Sequence, residues 1–186
     1  MAQSKILLDT SCYLRLAVSI HPLLFQPFGD AEYCLYCLPE LDEELMRSPR
    51  LQTKFHWALE REYRENRKNY LSLGKRERKE INRAYEFIWD YVQTDHRGVS
   101  RVDVLALAHG YALQIPVATD DKSMTEVGDS FDIKTFRSLD LLKLMHDADH
   151  ISLLKVREIV AYWRYWKDVP SNLTDQYVAI FGEAAP

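Results

Sequence analysis

Two apolar runs, each leading straight into an acid, constrain this chain more than any other feature. The first is Lys5-Ile6-Leu7-Leu8-Asp9-Thr10-Ser11, and the second, far along the chain, is Ile115-Pro116-Val117-Ala118-Thr119-Asp120-Asp121. Short aliphatic runs bounded by polar residues suit strands buried on both faces of a parallel sheet. Parallel strands need crossover connections, usually helices, and open α/β sheets gather their chemistry at the carboxyl ends of their strands. If both runs lie in one sheet, Asp9 and Asp121 come together there.

The chain between and after them supplies the crossovers. Thr10 to Ser19 reads as a helix stopped by His21-Pro22, because proline removes a donor and restricts the residue before it. Tyr33 to Leu38 reads as a second strand, followed by a short helix from Pro39 that turns Leu41 and Leu45 to the core. Residues 50–72 and 75–95 read as two long helices joined near Leu73-Gly74, a helical hairpin over 50–96. Ser100 can cap the next helix, with Asp103 in its first turn, where negative charge suits the helix dipole. A strand at 115–119, a helix after Asp121, an alternating strand over 131–136 and a helix from Leu139 to Met145 follow. The pattern predicts an α/β fold, three layers α/β/α around a mostly parallel sheet. The expected limits are a domain over 1–148 and a C-terminal helical extension over 149–186, packed on the domain or forming an interface.

Asp9, Glu44, Asp103 and Asp121 all fall at or near element ends. Singly, each has a plain reading as a helix cap or a solvated side chain. Together at one edge of a sheet they would repel one another unless a cation lay among them. Hard divalent ions prefer such oxygen ligands, and magnesium in particular bridges carboxylates to phosphate. Chemistry of that kind needs no nucleophilic serine, cysteine or histidine, and the sequence offers no obvious triad.

The succession Leu-Leu-Asp-Thr-Ser, Pro-Glu-Leu-Asp-Glu-Glu-Leu, Arg-Val-Asp-Val-Leu-Ala-Leu-Ala and Pro-Val-Ala-Thr-Asp-Asp resembles a PIN domain over about residues 5–140. The resemblance implies a PIN-like fold and a magnesium- or manganese-dependent endoribonuclease, most often the VapC-type toxin of a toxin–antitoxin pair. It implies Asp9, Glu44, Asp103 and Asp121 as metal-holding catalytic acids, with Ser11 and Thr119 orienting ligands or substrate. Its implied partners are RNA, a cognate antitoxin and a second copy of the chain. Departures are the adjacent Glu43, which leaves the register of the second acid open, and Asp120, which could itself reach metal. The hairpin is longer than in minimal members, and the extension is additional.

Other readings compete. A phosphatase of the haloacid dehalogenase type also begins with Asp after its first strand, but needs a second Asp two residues on, where this chain has Ser11. A non-catalytic PIN-like interaction module would keep the fold alone. The hairpin carries Arg61, Arg64, Lys68, Lys75, Arg76 and Lys79 with Tyr63 and Tyr70 interleaved. Those residues suit a wall that grips RNA phosphates, or equally a solvated face whose glutamates stand one turn away. The net charge of −4 excludes only a generic, uniformly basic nucleic-acid binder. Cys34 and Cys37 have CxxC spacing, but on a strand they point to opposite faces, so they read as small apolar residues. His146-Asp147-Ala148-Asp149-His150 reads as a helix junction in spite of its metal-like composition. Trp163 and Trp166 read as contacts between the extension and the domain, with a partner surface as the alternative. No run approaches the ~18 apolar residues of a membrane span, and the early apolar run is broken by Asp9 and Arg15. The expectation is a cytoplasmic protein.

Overall fold

The computed structural model describes residues 3–95 and 98–186; the expected limits at residues 1 and 96 lie outside them. The chain runs β1 (Ser4–Leu8), α1 (Thr10–Ala17), β2 (Tyr33–Cys37), α2 (Glu40–Arg47), α3 (Pro49–Lys54), a 3-10 turn (His56–Leu59), α4 (Arg61–Arg67) and α5 (Lys75–Asp95). It continues with α6 (Arg101–Leu113), β3 (Val117–Ala118), α7 (Lys122–Ser130), β4 (Thr135–Phe136), α8 (Ser138–Asp147), α9 (Leu153–Tyr165) and α10 (Leu173–Phe181). The four strands form one parallel sheet in the order β2-β1-β3-β4. β1 is central and pairs Leu8 with Cys37 on one side and Ala118 on the other. Asp9 and Thr119 therefore follow directly at the same edge.

Alternation along the strands divides the core in two. Ile6, Leu8, Leu35, Cys37 and Ala118 face a cluster with α1, α8, α9 and α10. Leu7, Cys34, Tyr36 and Val117 face the other way, into α5, α6 and α7. This is the expected three-layer arrangement with helices on both faces of the sheet. Cys34 and Cys37 lie in different layers and are free thiols. The extension packs on the domain: Val156, Ile159, Val160, Trp163, Leu173 and Tyr177 join the first cluster.

The hairpin differs from expectation in one arm. Residues 75–95 form a single 21-residue helix that buries Ile81, Ile88 and Val92. The other arm is not one helix. Pro49 starts α3, the backbone turns out at Phe55 and again at Glu60, and the segment after Lys68 is not helical. Separate short pieces let Trp57, Tyr63 and Arg67 all reach the interior. Trp57 packs edge-on against Tyr63, with ring centroids 4.7 Å apart, and Asn66 bonds both backbone groups of Leu24. The helix that pairs with α5 is α6, so the long antiparallel contact follows this arm instead of preceding it.

α6 meets the sheet closely. A Cβ on Gly110 would come within 2.6 Å of Val117 Cγ2 and 2.9 Å of Ile133 Cγ2. Because β3 begins just after α6 ends, helix and strand run in opposing directions, and the N-terminus of α6 returns to the carboxyl edge of the sheet. That return places Asp103 near Asp9.

Candidate active site

At the carboxyl edge of the sheet, Asp9, Thr10, Ser11, Glu44, Ser100, Asp103 and Asp121 line one cleft of about 520 Å³. Each acid is held by its own local geometry. Asp9 caps α1: its carboxylate accepts from the backbone N–H of Cys12 at 2.6 Å, from the Ser11 hydroxyl at 2.9 Å and from the Thr119 hydroxyl at 2.7 Å. Glu44 accepts from the Thr10 hydroxyl. Asp103 closes a capping box with Ser100, accepting from its backbone N–H at 2.9 Å. Asp121 caps α7 through the N–H of Met124 at 2.8 Å, while the Thr119 hydroxyl accepts from the N–H of Asp121. The plain reading as helix-cap acids thus holds for Asp9, Asp103 and Asp121, and all four acids still line the cleft. A helix that starts where a strand ends needs an acceptor at the place where a cleft can form.

Asp9 is the most confined of the four, only 8% exposed. Burial pushes its carboxyl up from 3.8 to about 6, and the neighbouring Asp120 charge adds to the rise. The Cys12 N–H and the Thr119 and Ser11 hydroxyls oppose it but do not cancel it. One oxygen each of Glu44, Asp103 and Asp121 accepts no hydrogen bond among the described residues. These open oxygens, with the Asp9 carboxylate, form a hard donor set of the kind that suits magnesium or manganese. The set fits such an ion in kind but is not closed around one. Among the described residues, no three His, Cys, Asp or Glu are grouped to hold a metal.

Two of the expected alternates turn away from the cleft. Glu43 is exposed and pairs with Arg47 one turn on, at 2.9 Å, which leaves Glu44 as the second acid of the cleft. Asp120 accepts from the backbone N–H and hydroxyl of Ser138 and from Arg15, so both its oxygens are engaged inside the protein. Its neighbour on the chain faces the opening because successive residues after a strand point to opposite sides.

Of the two readings of the hairpin cations, their placement outside the cleft favours the solvated face. Arg61, Arg64, Lys68, Lys75, Arg76 and Lys79 are exposed on α4 and the start of α5, but none of them lines the cleft. Lys68 pairs with Glu65 at 2.7 Å. Arg67 is 1% exposed and bonds the Tyr13 hydroxyl and Asp42, a structural role. The cations of the cleft are instead Arg15, Arg50 and Lys54. Arg50 and Lys54 are four residues apart, a spacing that puts both on one side of α3, and this was visible in the sequence. Asp168, which lines the cleft between α9 and α10, gave no such signal. It receives Lys54 at 2.8 Å, and Arg15 Nε lies 3.5 Å from its carboxylate.

Elsewhere, the sequence 146–150 is a helix end: His146 Nδ1 lies 3.2 Å from the carbonyl of Ile151, and the His150 ring stacks on Phe28. Trp163 is buried, and its indole N–H donates to the Arg15 carbonyl at 2.9 Å. Trp166, expected beside it in the interior, is half exposed. Among the described residues, no helix is long and apolar enough to cross a membrane. No family model matches the chain, and no curated protein matches it in sequence.

Proposed function

We propose that this chain is a metal-dependent endoribonuclease of the PIN type. The observation that carries the reading is the cleft itself: four acids from four separate places in the chain line it, three of them with an open oxygen. Asp9, Glu44, Asp103 and Asp121 would hold magnesium or manganese, whose charge and Lewis acidity supply what carboxylates lack against a phosphodiester. The chain's own residues do the positioning. Ser11 and Thr119 fix both oxygens of Asp9, Thr10 fixes Glu44, and Arg50 and Lys54 on the facing wall offer positive charge to the RNA backbone. The same reading makes the chain the toxin of a toxin–antitoxin pair acting in the cytoplasm, with an antitoxin protein and a second copy as partners.

The test is cleavage of an RNA pool by purified protein with magnesium or manganese. Cleavage should stop with EDTA and in Asp9→Asn, and the variant should still melt cooperatively. Equal cleavage by Asp9→Asn would falsify the reading. A second reading, a PIN-like binding module without catalysis, is favoured by the helix-cap roles that Asp9, Asp103 and Asp121 already fill. Calorimetric titration with manganese separates the two: the nuclease takes up the ion, and the module does not. Growth arrest on induced expression of the wild type, absent for Asp9→Asn, tests the toxin assignment.

A further inference from the structure

Beside the acid cleft is a narrower slot walled by Leu14, Phe55, Trp57, Tyr162, Trp163 and Trp166. It is continuous with the cleft, because Leu14, Arg15, Lys54, Phe55 and Asp168 line both. Trp163 and Trp57 are buried and need no further explanation. Trp166 differs. It follows α9 at 50% exposure, with the Tyr165 ring edge-on at 5.5 Å and the Tyr162 ring tilted at 6.1 Å, so part of a large indole meets water beside the slot. On the shared wall, Lys54 Nζ stands 4.9 Å from the centre of the Phe55 ring. Arg50, one turn earlier, is exposed and has no carboxylate partner among the described residues.

Aromatic faces interleaved with cations are how single strands are held: bases stack on the rings and phosphates meet the charges. Here that pairing lies next to the acids, so a strand with one base on Trp166 would pass its backbone over Lys54 and Arg50 toward the cleft. We propose that the slot receives one unpaired base of a single-stranded RNA, with Trp166 as its stacking platform and Lys54 and Arg50 as backbone contacts. The choice of RNA rests on the nuclease reading. About 40 Å³ of the slot is open, so the base lies against the exposed part of the Trp166 indole and does not fill a ready-made hole. A duplex keeps its bases stacked within the helix and offers none to the ring. As the strand enters, its phosphate displaces the Asp168 carboxylate from Lys54.

The experiment is binding without cleavage: fluorescence anisotropy in EDTA, with a labelled single-stranded RNA and the duplex of the same sequence. The single strand should bind at least tenfold tighter than the duplex. Trp166→Ala should weaken single-strand binding about 5- to 100-fold and Trp166→Phe by no more than about threefold. Lys54→Gln should lower the slope of log affinity against log salt by about 0.7. On the wild-type protein, an RNA made abasic at each position in turn should lose comparable affinity at one position, which needs no variant to fold. Equal binding of strand and duplex, indifference to both Trp166→Ala and every abasic position, or no RNA binding would overturn the proposal. Trp166-dependent binding without cleavage in manganese would leave the slot standing and remove the nuclease. Cleavage with Trp166-independent binding would do the reverse.

Discussion

The two walls of the cleft are built on opposite electrostatic plans. On the sheet side, Asp9, Glu44, Asp103 and Asp121 are held by backbone N–H groups and hydroxyls, with no lysine or arginine bonded to them among the described residues. On the side of α3 and the extension, two of the three cleft cations are matched: Arg15 with Asp120 and Asp168, Lys54 with Asp168. Neutral donors orient an acid without cancelling its charge, whereas a matched ion pair must part before either charge can meet a ligand. The sheet wall therefore keeps its negative charge, and the opposite wall ties α1 and α3 to the extension through Asp168.

The largest expected effect in this comparison is on the matched wall. Asp120→Ala should destabilise the fold by about 2–4 kcal/mol, because it leaves buried Ser138 without its acceptor and Arg15 with Asp168 alone. A denaturant melt within about 1 kcal/mol of wild type would show that the pair is not a fastening.

The unmatched wall should respond to pH with the opposite logic. Asp9 has its carboxyl raised from 3.8 to about 6, so between those values the folded chain keeps a proton that the unfolded chain has released. The contribution of Asp9 to stability must then fall as pH rises through that window and stay lowered above it. Without divalent ions, Asp9→Asn should gain roughly 2–3 kcal/mol on the wild type between pH 4 and pH 7. Manganese should reverse the ranking at pH 7. A constant difference across the window would mean that Asp9 is not held against its charge.

A smaller effect tests the spacing that brings Asp103 to the sheet wall. Gly110→Ala puts a methyl group within 2.6 Å of Val117 and should cost about 1–3 kcal/mol. It should also lower metal-dependent cleavage, as α6 is pushed from β3. Unchanged melting and activity would show that the helix shifts freely.

The smallest effect belongs to the outlying basic face. Lys68→Gln should change stability by less than about 0.5 kcal/mol and leave RNA cleavage unaltered, since its partner Glu65 is as exposed as it is. A large loss of cleavage would return the gripping wall to α4 and α5.

Much of the sheet wall was legible in the sequence because strand ends and helix starts are local events. Leu8 runs into Asp9, Ser100 stands three residues before Asp103, and these patterns place a carboxylate without knowledge of the rest of the fold. Sheet direction and the two helical layers followed from the succession of strands alternating with helices. The facing wall was illegible for the opposite reason. The break at Phe55 is set by where Trp57 and Tyr63 find space, and Asp168 meets Lys54 only after the extension has packed. Nothing local marks Arg67 off from its surface neighbours; its partners Tyr13 and Asp42 stand 54 and 25 residues away. Long-range pairings of this kind leave no periodic mark on the chain.

The division of the cysteines between layers has a practical consequence. Cys34 lies in the layer of α5, α6 and α7, Cys37 and Cys12 in the layer that includes the extension, and all three thiols are buried. A thiol reagent can reach any of them only when its own layer opens. In variants keeping one cysteine each, the rate of labelling becomes a clock for one side of the sheet, and the two clocks together tell which side of the molecule breathes first.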